Sequence, residues 1–153
     1  MATVQSLIEI LQRENIHYRT LTHDPVITIS DVEKTLGIDP ASMAKALIVR
    51  TPDGFCTAVI PGNCQLSKKN LAKISGYSRS SLDLVPKNEV ELTVGLPIGS
   101  IPPYGLGLSV FMDEKLLMHN PIYCGVGSLT MTLEVSPVDL CRLSDAKIGL
   151  ITL

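Results

Sequence analysis

The stretch Met43-Ala44-Lys45-Ala46-Leu47-Ile48-Val49 reads as a buried strand that carries one charge, and no acidic residue follows until Asp53. Strand side chains alternate between faces, so Lys45 shares a face with Met43, Leu47 and Val49. An ammonium on an apolar face must snorkel to water, find a fixed anion, or meet an anionic ligand. The strand continues to Arg50, and Pro52-Asp53-Gly54 is a strong hairpin signal leading into a second strand over Phe55 to Ile60.

Outward from this hairpin the chain alternates helices and strands. Val4, Leu7, Ile8 and Leu11 have the three–four spacing of a core-covering helix over Thr3 to Glu14, and His17 to Leu21 reads as a short strand. Ser30 to Glu33 has the form of a capping box, opening a helix through Val32 and Leu36 that Gly37 stops. Ser67 caps a helix from Lys68 to Ile74 ended by Gly76, and Pro86 to Leu92 reads as a helix with proline in its first position. Beyond a glycine–proline segment come Leu108 to Met112, a turn or single helical turn at Asp113 to Leu117, and strands over Ile122 to Cys124 and Leu129 to Val135. Ser136-Pro137 opens a helix, and Lys147 to Leu153 closes as a strand. Strands outnumber helices and hairpins mix with crossovers. The expected fold is α/β, mixed and α+β-like, in a single domain spanning 1–153.

Bulk properties narrow the function. The chain has 153 residues, 45% hydrophobic and 4% aromatic with no Trp, so the core is aliphatic and offers no broad stacking platform for bases. A net charge of −2 argues against a large phosphate-binding surface and against DNA, while leaving room for a small site that takes the end of a nucleic acid. No run approaches the roughly 20 apolar residues of a membrane span, and the N-terminal stretch lacks the form of a signal peptide, so a cytoplasmic protein is expected. Cys56, Cys64, Cys124 and Cys141 form no metal-spaced set, read as free thiols, and call for no metal or cofactor.

Three further segments stand out. Gly95 to Gly105 holds three glycines and three prolines in eleven residues, which excludes a regular helix or central strand. It is either a stiff connection or a rigid loop whose N–H groups grip a carbonyl or phosphate. Gly127-Ser128 lies in a turn between strands, and His23-Asp24-Pro25 precedes Thr28. No Ser-His-Asp or Cys-His set can be assembled.

The succession of these parts, from His23-Asp24-Pro25 through Leu36 to Arg50 and the Gly99-x-x-Pro102-Pro103-Tyr104-Gly105 loop to Gly125-Val-Gly-Ser128, resembles the YbaK/prolyl-tRNA synthetase-associated editing-domain family over nearly the whole chain. The resemblance implies a barrel-like central sheet flanked by helices, and hydrolysis of the ester of a mischarged aminoacyl-tRNA, with Cys- or Ala-tRNA(Pro) as the expected substrate. It implies Lys45 as the catalytic cation. His23, Thr28, Gly99, Ser100, Pro102, Gly105, Gly127 and Ser128 become the candidate substrate-binding residues. The implied partners are the aminoacyl-tRNA acceptor end and a prolyl-tRNA synthetase. Family members often place Thr after the lysine, where this chain has Ala46, and the loop here is richer in proline. Both departures bear on amino-acid specificity. The rival readings are a non-catalytic tRNA-end adaptor docked on a synthetase and a hydrolase of other small esters.

Overall fold

A computed structural model describes residues 2–153. Helix α1 (Val4–Arg13) begins where Thr3 and Ser6 exchange bonds, the Ser6 N–H donating to Thr3 Oγ1 at 3.0 Å and the Thr3 N–H to Ser6 Oγ at 2.8 Å. It buries Leu7 and Leu11. Strand β1 (Tyr18–Thr22) follows, then α2 (Ile29–Leu36). The capping box of α2 lies two residues earlier than the sequence suggested: Thr28 and Asp31 form it, not Ser30 and Glu33. Asp31 wins because its Oδ2 accepts from both the Ile27 and Thr28 N–H groups at 3.1 Å. Those backbone bonds hold its carboxyl below the usual aspartate range.

Strands β2 (Ala44–Thr51) and β3 (Gly54–Pro61) form the expected hairpin. Then come α3 (Lys68–Ser75), a two-residue strand β4 (Asp83–Leu84) and α4 (Lys87–Val94). Pro86, assigned from sequence to the first helical position, is instead the N-cap of α4, one place before its first helical residue. The chain ends with β5 (Ser109–Asp113), β6 (Ile122–Gly125), β7 (Met131–Val135), α5 (Pro137–Ser144) and β8 (Lys147–Gly149).

The strands make two sheets and no closed barrel. The larger is mixed, in the order β4-β2-β3-β5-β8, with β2 antiparallel to both neighbours and β3, β5 and β8 parallel. The smaller, β1-β7-β6, is antiparallel. They meet at one bridge between Met43 and Tyr123. Closure fails because β4 pairs only with Val49 and Arg50 and β6 approaches β2 only at the Met43–Tyr123 bridge, which leaves Lys45 to Leu47 with no ladder partner on that edge.

Strand β5 is wedged between two cores. Met112 packs with Leu7, Leu11, Leu116, Leu133 and Leu140, and Phe111 on the opposite face packs with Val49, Ile60 and Leu71. A third cluster, Ile48, Val85, Val90, Leu96 and Ile101, lies under α4.

The last strand is shorter than its pattern implied, because fully buried Asp113 captures the chain beyond it. Its Oδ2 accepts from the Ile151 and Thr152 N–H groups at 2.9 and 3.0 Å, and its Oδ1 from Lys115 N–H at 2.9 Å. Asp113→Asn replaces one acceptor oxygen by a donor facing another donor. The expected cost is about 2 kcal/mol, measured by urea unfolding. A loss under about 0.5 kcal/mol would show that the C-terminal segment is held by packing alone.

Candidate functional site

A cavity of about 600 Å³ opens at the unpaired edge of β2. Val26 to Ile29 form one wall, the β2 residues Ala44 to Ile48 another, and Gly99, Gly125 at the end of β6 and Ser128 complete the lining. Its lining includes two charged side chains, Lys45 and Lys87, and no Asp, Glu or His.

Lys45 is half-buried on the face of β2 that carries Leu47 and Val49, directly across from Ile60 on β3. Among the described residues it makes no ion pair. Burial pulls its pKa down, the charge of Lys87 lowers it further, and the nearby Cys64 acts weakly the other way. The two cations line one cavity whose lining holds no carboxylate.

The backbone of the same strand adds polar groups. Ile48 turns its C=O away from β3, where it accepts from Val85 N–H at 2.9 Å. Ala46, two residues away, turns its N–H and C=O to the same edge, and no strand pairs with it there. Beside Lys45 the cavity thus has a backbone donor and acceptor that the sheet does not use.

The glycine–proline loop is pinned by close approach. Gly99 has φ +90, and a Cβ placed on it would lie 2.5 Å from the Ile27 carbonyl oxygen. A Cβ on Gly125 would lie 2.7 Å from the Ser100 backbone. The Gly127 N–H donates to Ser100 C=O at 2.9 Å. The loop is therefore clamped between the 26–28 segment and the turn after β6, and it forms a fixed wall.

The structure divides the nine candidate residues. Lys45, Thr28, Gly99 and Ser128 line the cavity; His23, Ser100, Pro102, Gly105 and Gly127 do not. Thr28 Oγ1 caps α2, accepting from Asp31 N–H at 3.0 Å, and Ser128 Oγ is bonded to Thr130. The His23 ring bonds Asp24 C=O at 2.7 Å through Nδ1 and Thr132 Oγ1 at 2.8 Å through Nε2. A carbonyl only accepts, so Nδ1 donates to it, and the two bonds make His23 a strap under the wall. Ser100 is buried, its hydroxyl donating to Pro97 C=O at 2.6 Å. Gly105 and Gly127 both rest on Leu7 of α1, away from the cavity. Lys87, Cys64, Tyr123 and Thr132 line the cavity and were not singled out from sequence, and Gly125, noted there only as part of the turn segment, lines it too. A free cation in the first turn of a helix following a buried valine was the only available signal for Lys87.

The site is thus an acid-free, lysine-bearing cavity at a strand edge of a mixed α/β fold. The chain belongs to the aminoacyl-tRNA editing domain family, whose model matches residues 23–143. A candidate Cys-tRNA(Pro)/Cys-tRNA(Cys) deacylase of Enterococcus faecalis is 28% identical over 129 residues, 82% of this chain and 77% of that protein. A proline–tRNA ligase of Thermosipho melanesiensis is 34% identical over 98 residues, 63% of this chain and 17% of the ligase, so the chain corresponds to a small part of such enzymes. A crystal structure of a hypothetical protein superposes with TM-score 0.87 at 26% identity, covering 96% of this chain and 99% of that one. The structure of a candidate trans-editing enzyme for prolyl-tRNA synthetase superposes at TM-score 0.84 and 18% identity, over 100% of this chain and 99% of that one, and shows the shared fold. Among the described residues no helix is long and apolar enough to cross a membrane.

Proposed function

We propose that residues 1–153 act as one trans-acting aminoacyl-tRNA deacylase domain, which hydrolyses the ester between a small amino acid and the terminal ribose of tRNA(Pro). The observation that carries this reading is an unpaired lysine on the open edge of β2, in the cavity of a chain that belongs to the editing family. In the reaction, water adds to the ester carbonyl carbon and negative charge builds on its oxygen. The C–O bond to the ribose then breaks, and free amino acid and a tRNA hydroxyl leave. Lys45 stabilises the developing charge, and the Ala46 N–H on the same strand edge is a second donor in reach of that space. The apolar lining contributed by Ile27, Val32 and Ile60 suits a short side chain. A methylene changes binding by only about 1–3 kcal/mol, so selection among small residues rests on the fit of this wall. Cys- and Ala-tRNA(Pro) are the proposed substrates. The matching segments of proline–tRNA ligases support a prolyl-tRNA synthetase as the partner enzyme.

The test is deacylation of tRNA(Pro) charged in turn with Cys, Ala, Ser and Pro. Rapid release of one small amino acid, with Pro-tRNA(Pro) spared, is the expected result. Stoichiometric binding without release would identify an adaptor instead.

The pKa of Lys45 adds a check. Its charged form is disfavoured by burial and by Lys87, so the catalytic cation disappears at a lower pH than a solvent-exposed lysine would allow. The alkaline limb of kcat/KM, corrected for spontaneous hydrolysis, is expected below the ordinary lysine range. Lys45→Arg flattens that limb, because guanidinium does not titrate there, at a reduced rate set by its different shape. A wild-type limb matching that of the arginine variant would rule out Lys45 as the titrating group. Linkage has the same sign: the unfolded chain binds more protons between the two pKa values, so stability rises with pH through that window.

A further inference from the structure

Lys87 has no salt-bridge partner among the described residues. It is exposed in the first turn of α4 and lines the same cavity as Lys45. The acids nearest to it in the chain are all engaged. Asp83 pairs with Lys68 at 3.5 Å, Glu89 pairs with Arg50 at 3.7 Å, and Glu91 Oε1 accepts from Ile98 N–H at 2.9 Å. The cavity between Lys45 and Lys87 therefore holds two cations and no counter-charge.

Two like charges placed together are unfavourable until an anion joins them. In a chain of net charge −2, that concentration at one cavity is local design, since the surface as a whole does not attract nucleic acid. An aminoacyl ester carries its negative charge on the phosphodiester one ribose away from the scissile bond. One cation at the ester and a second displaced from it match that spacing in kind.

We propose that Lys87 is a substrate-positioning residue that binds the last phosphodiester of the tRNA 3′ end, leaving Lys45 to face the ester. The assignment rests on the deacylase reading for the identity of the ligand, and its test is a binding measurement that does not need turnover. The anion is a phosphodiester of a single-stranded 3′ terminus. Its specificity for that terminus comes from the adjoining apolar wall at Ile27 and Ile98, which the ribose and aminoacyl group fill.

The experiment is a double-mutant cycle by fluorescence anisotropy. Wild-type and Lys87→Ala proteins are titrated with a short oligonucleotide of the tRNA 3′-terminal sequence. Its last linkage is either a phosphodiester or an uncharged methylphosphonate. For wild type, neutralising that linkage is expected to weaken binding by about 10-fold, the usual scale of one charge-assisted contact. For Lys87→Ala, the phosphodiester oligonucleotide loses about the same factor, and neutralising the linkage costs nothing further. Lys87→Arg restores most of the affinity, and the salt dependence of log Kd drops by about 0.7 in the alanine variant, as for one single-strand phosphate. Lys87 is exposed at a helix end, so the variants are expected to melt with wild type, which excludes unfolding as the cause.

Independent, additive losses overturn the proposal, as does the absence of any loss in Lys87→Ala. Displacement of the oligonucleotide by micromolar inorganic phosphate overturns it in favour of a free-phosphate site. Coupling seen in a protein that hydrolyses no charged tRNA would leave the phosphate contact standing and remove the deacylase reading. Turnover without coupling would do the reverse.

Discussion

Lys45→Ala is expected to lower kcat/KM for the preferred aminoacyl-tRNA by about 100- to 1,000-fold, the loss found when one preorganised charge-stabilising donor is removed from an ester-cleaving site. The fold should survive. Lys45 is half-buried on a strand edge and makes no salt bridge among the described residues, so its removal leaves no ion-pair partner there unsatisfied. Its aliphatic stem lies beside Leu47 and Ile60, so the alanine variant also removes some packing. Lys45→Met separates the two effects. It keeps an unbranched apolar stem and deletes the charge, so it should be equally inactive yet no less stable than wild type. The reason is that burial and Lys87 both act against the charged lysine. Single-turnover deacylation and thermal melts on the three proteins decide the matter. A methionine variant within threefold of the wild-type rate would remove Lys45 from the chemistry and leave it as a stem that fills the strand edge.

How far the sequence carried the site depended on distance along the chain. Lys45 was legible because a charge interrupts an apolar strand and because its neighbours are local. The hairpin of β2 and β3, with its Pro52-Asp53-Gly54 turn, was legible for the same reason. The open edge of β2 was not. It arises because β4 stops after two pairs, and nothing in the residues from Ala44 to Leu47 records what a distant segment leaves uncovered. The mixed α/β fold implied by family resemblance is present, with its sheet left unclosed at that same edge. Lys87 was invisible too, since α4 shows only a helix pattern and its meeting with Lys45 is made by the packing of Val85 and Val90 under it.

The glycine–proline loop shows a different limit. Its composition correctly signalled a rigid, close-approaching backbone, but composition has no direction. Gly99 faces the cavity and Gly105 faces Leu7 of α1, six residues on in the same loop. His23 illustrates the converse. A His-Asp-Pro turn draws attention as a candidate site, and the ring is taken up in holding Thr132 and Asp24. Residues that position a wall and residues that touch a ligand carry the same sequence signal, and only the contacts separate them.

Gly99→Val tests that clamp, and we expect it to be the most destabilising substitution in the site. Two costs add. Gly99 has φ +90, a region that a β-branched residue avoids, and such strain is worth about 1–3 kcal/mol. The new Cβ would also sit 2.5 Å from Ile27 C=O and 2.9 Å from Ile27 Cα. Both are backbone atoms, so no side chain can swing aside to relieve the overlap. The 26–28 segment must move instead, against the bonds from Ile27 and Thr28 N–H to Asp31 that start α2. A total near 4 kcal/mol is expected, enough to lower Tm by about 10 °C in a chain of this size. Gly107→Ala is the control. Its φ is +71 with nothing within 4 Å of an added Cβ, so it should cost only about 1 kcal/mol for the backbone conformation. Assayed well below its Tm, Gly99→Val should still lose activity, because the displaced segment carries Ile27 and Thr28, one wall of the cavity that holds Lys45. A variant destabilised as expected but fully active at low temperature would show that the aminoacyl group does not rest on that wall. A variant with an unchanged Tm would mean that the loop and the 26–28 segment are not in contact in solution.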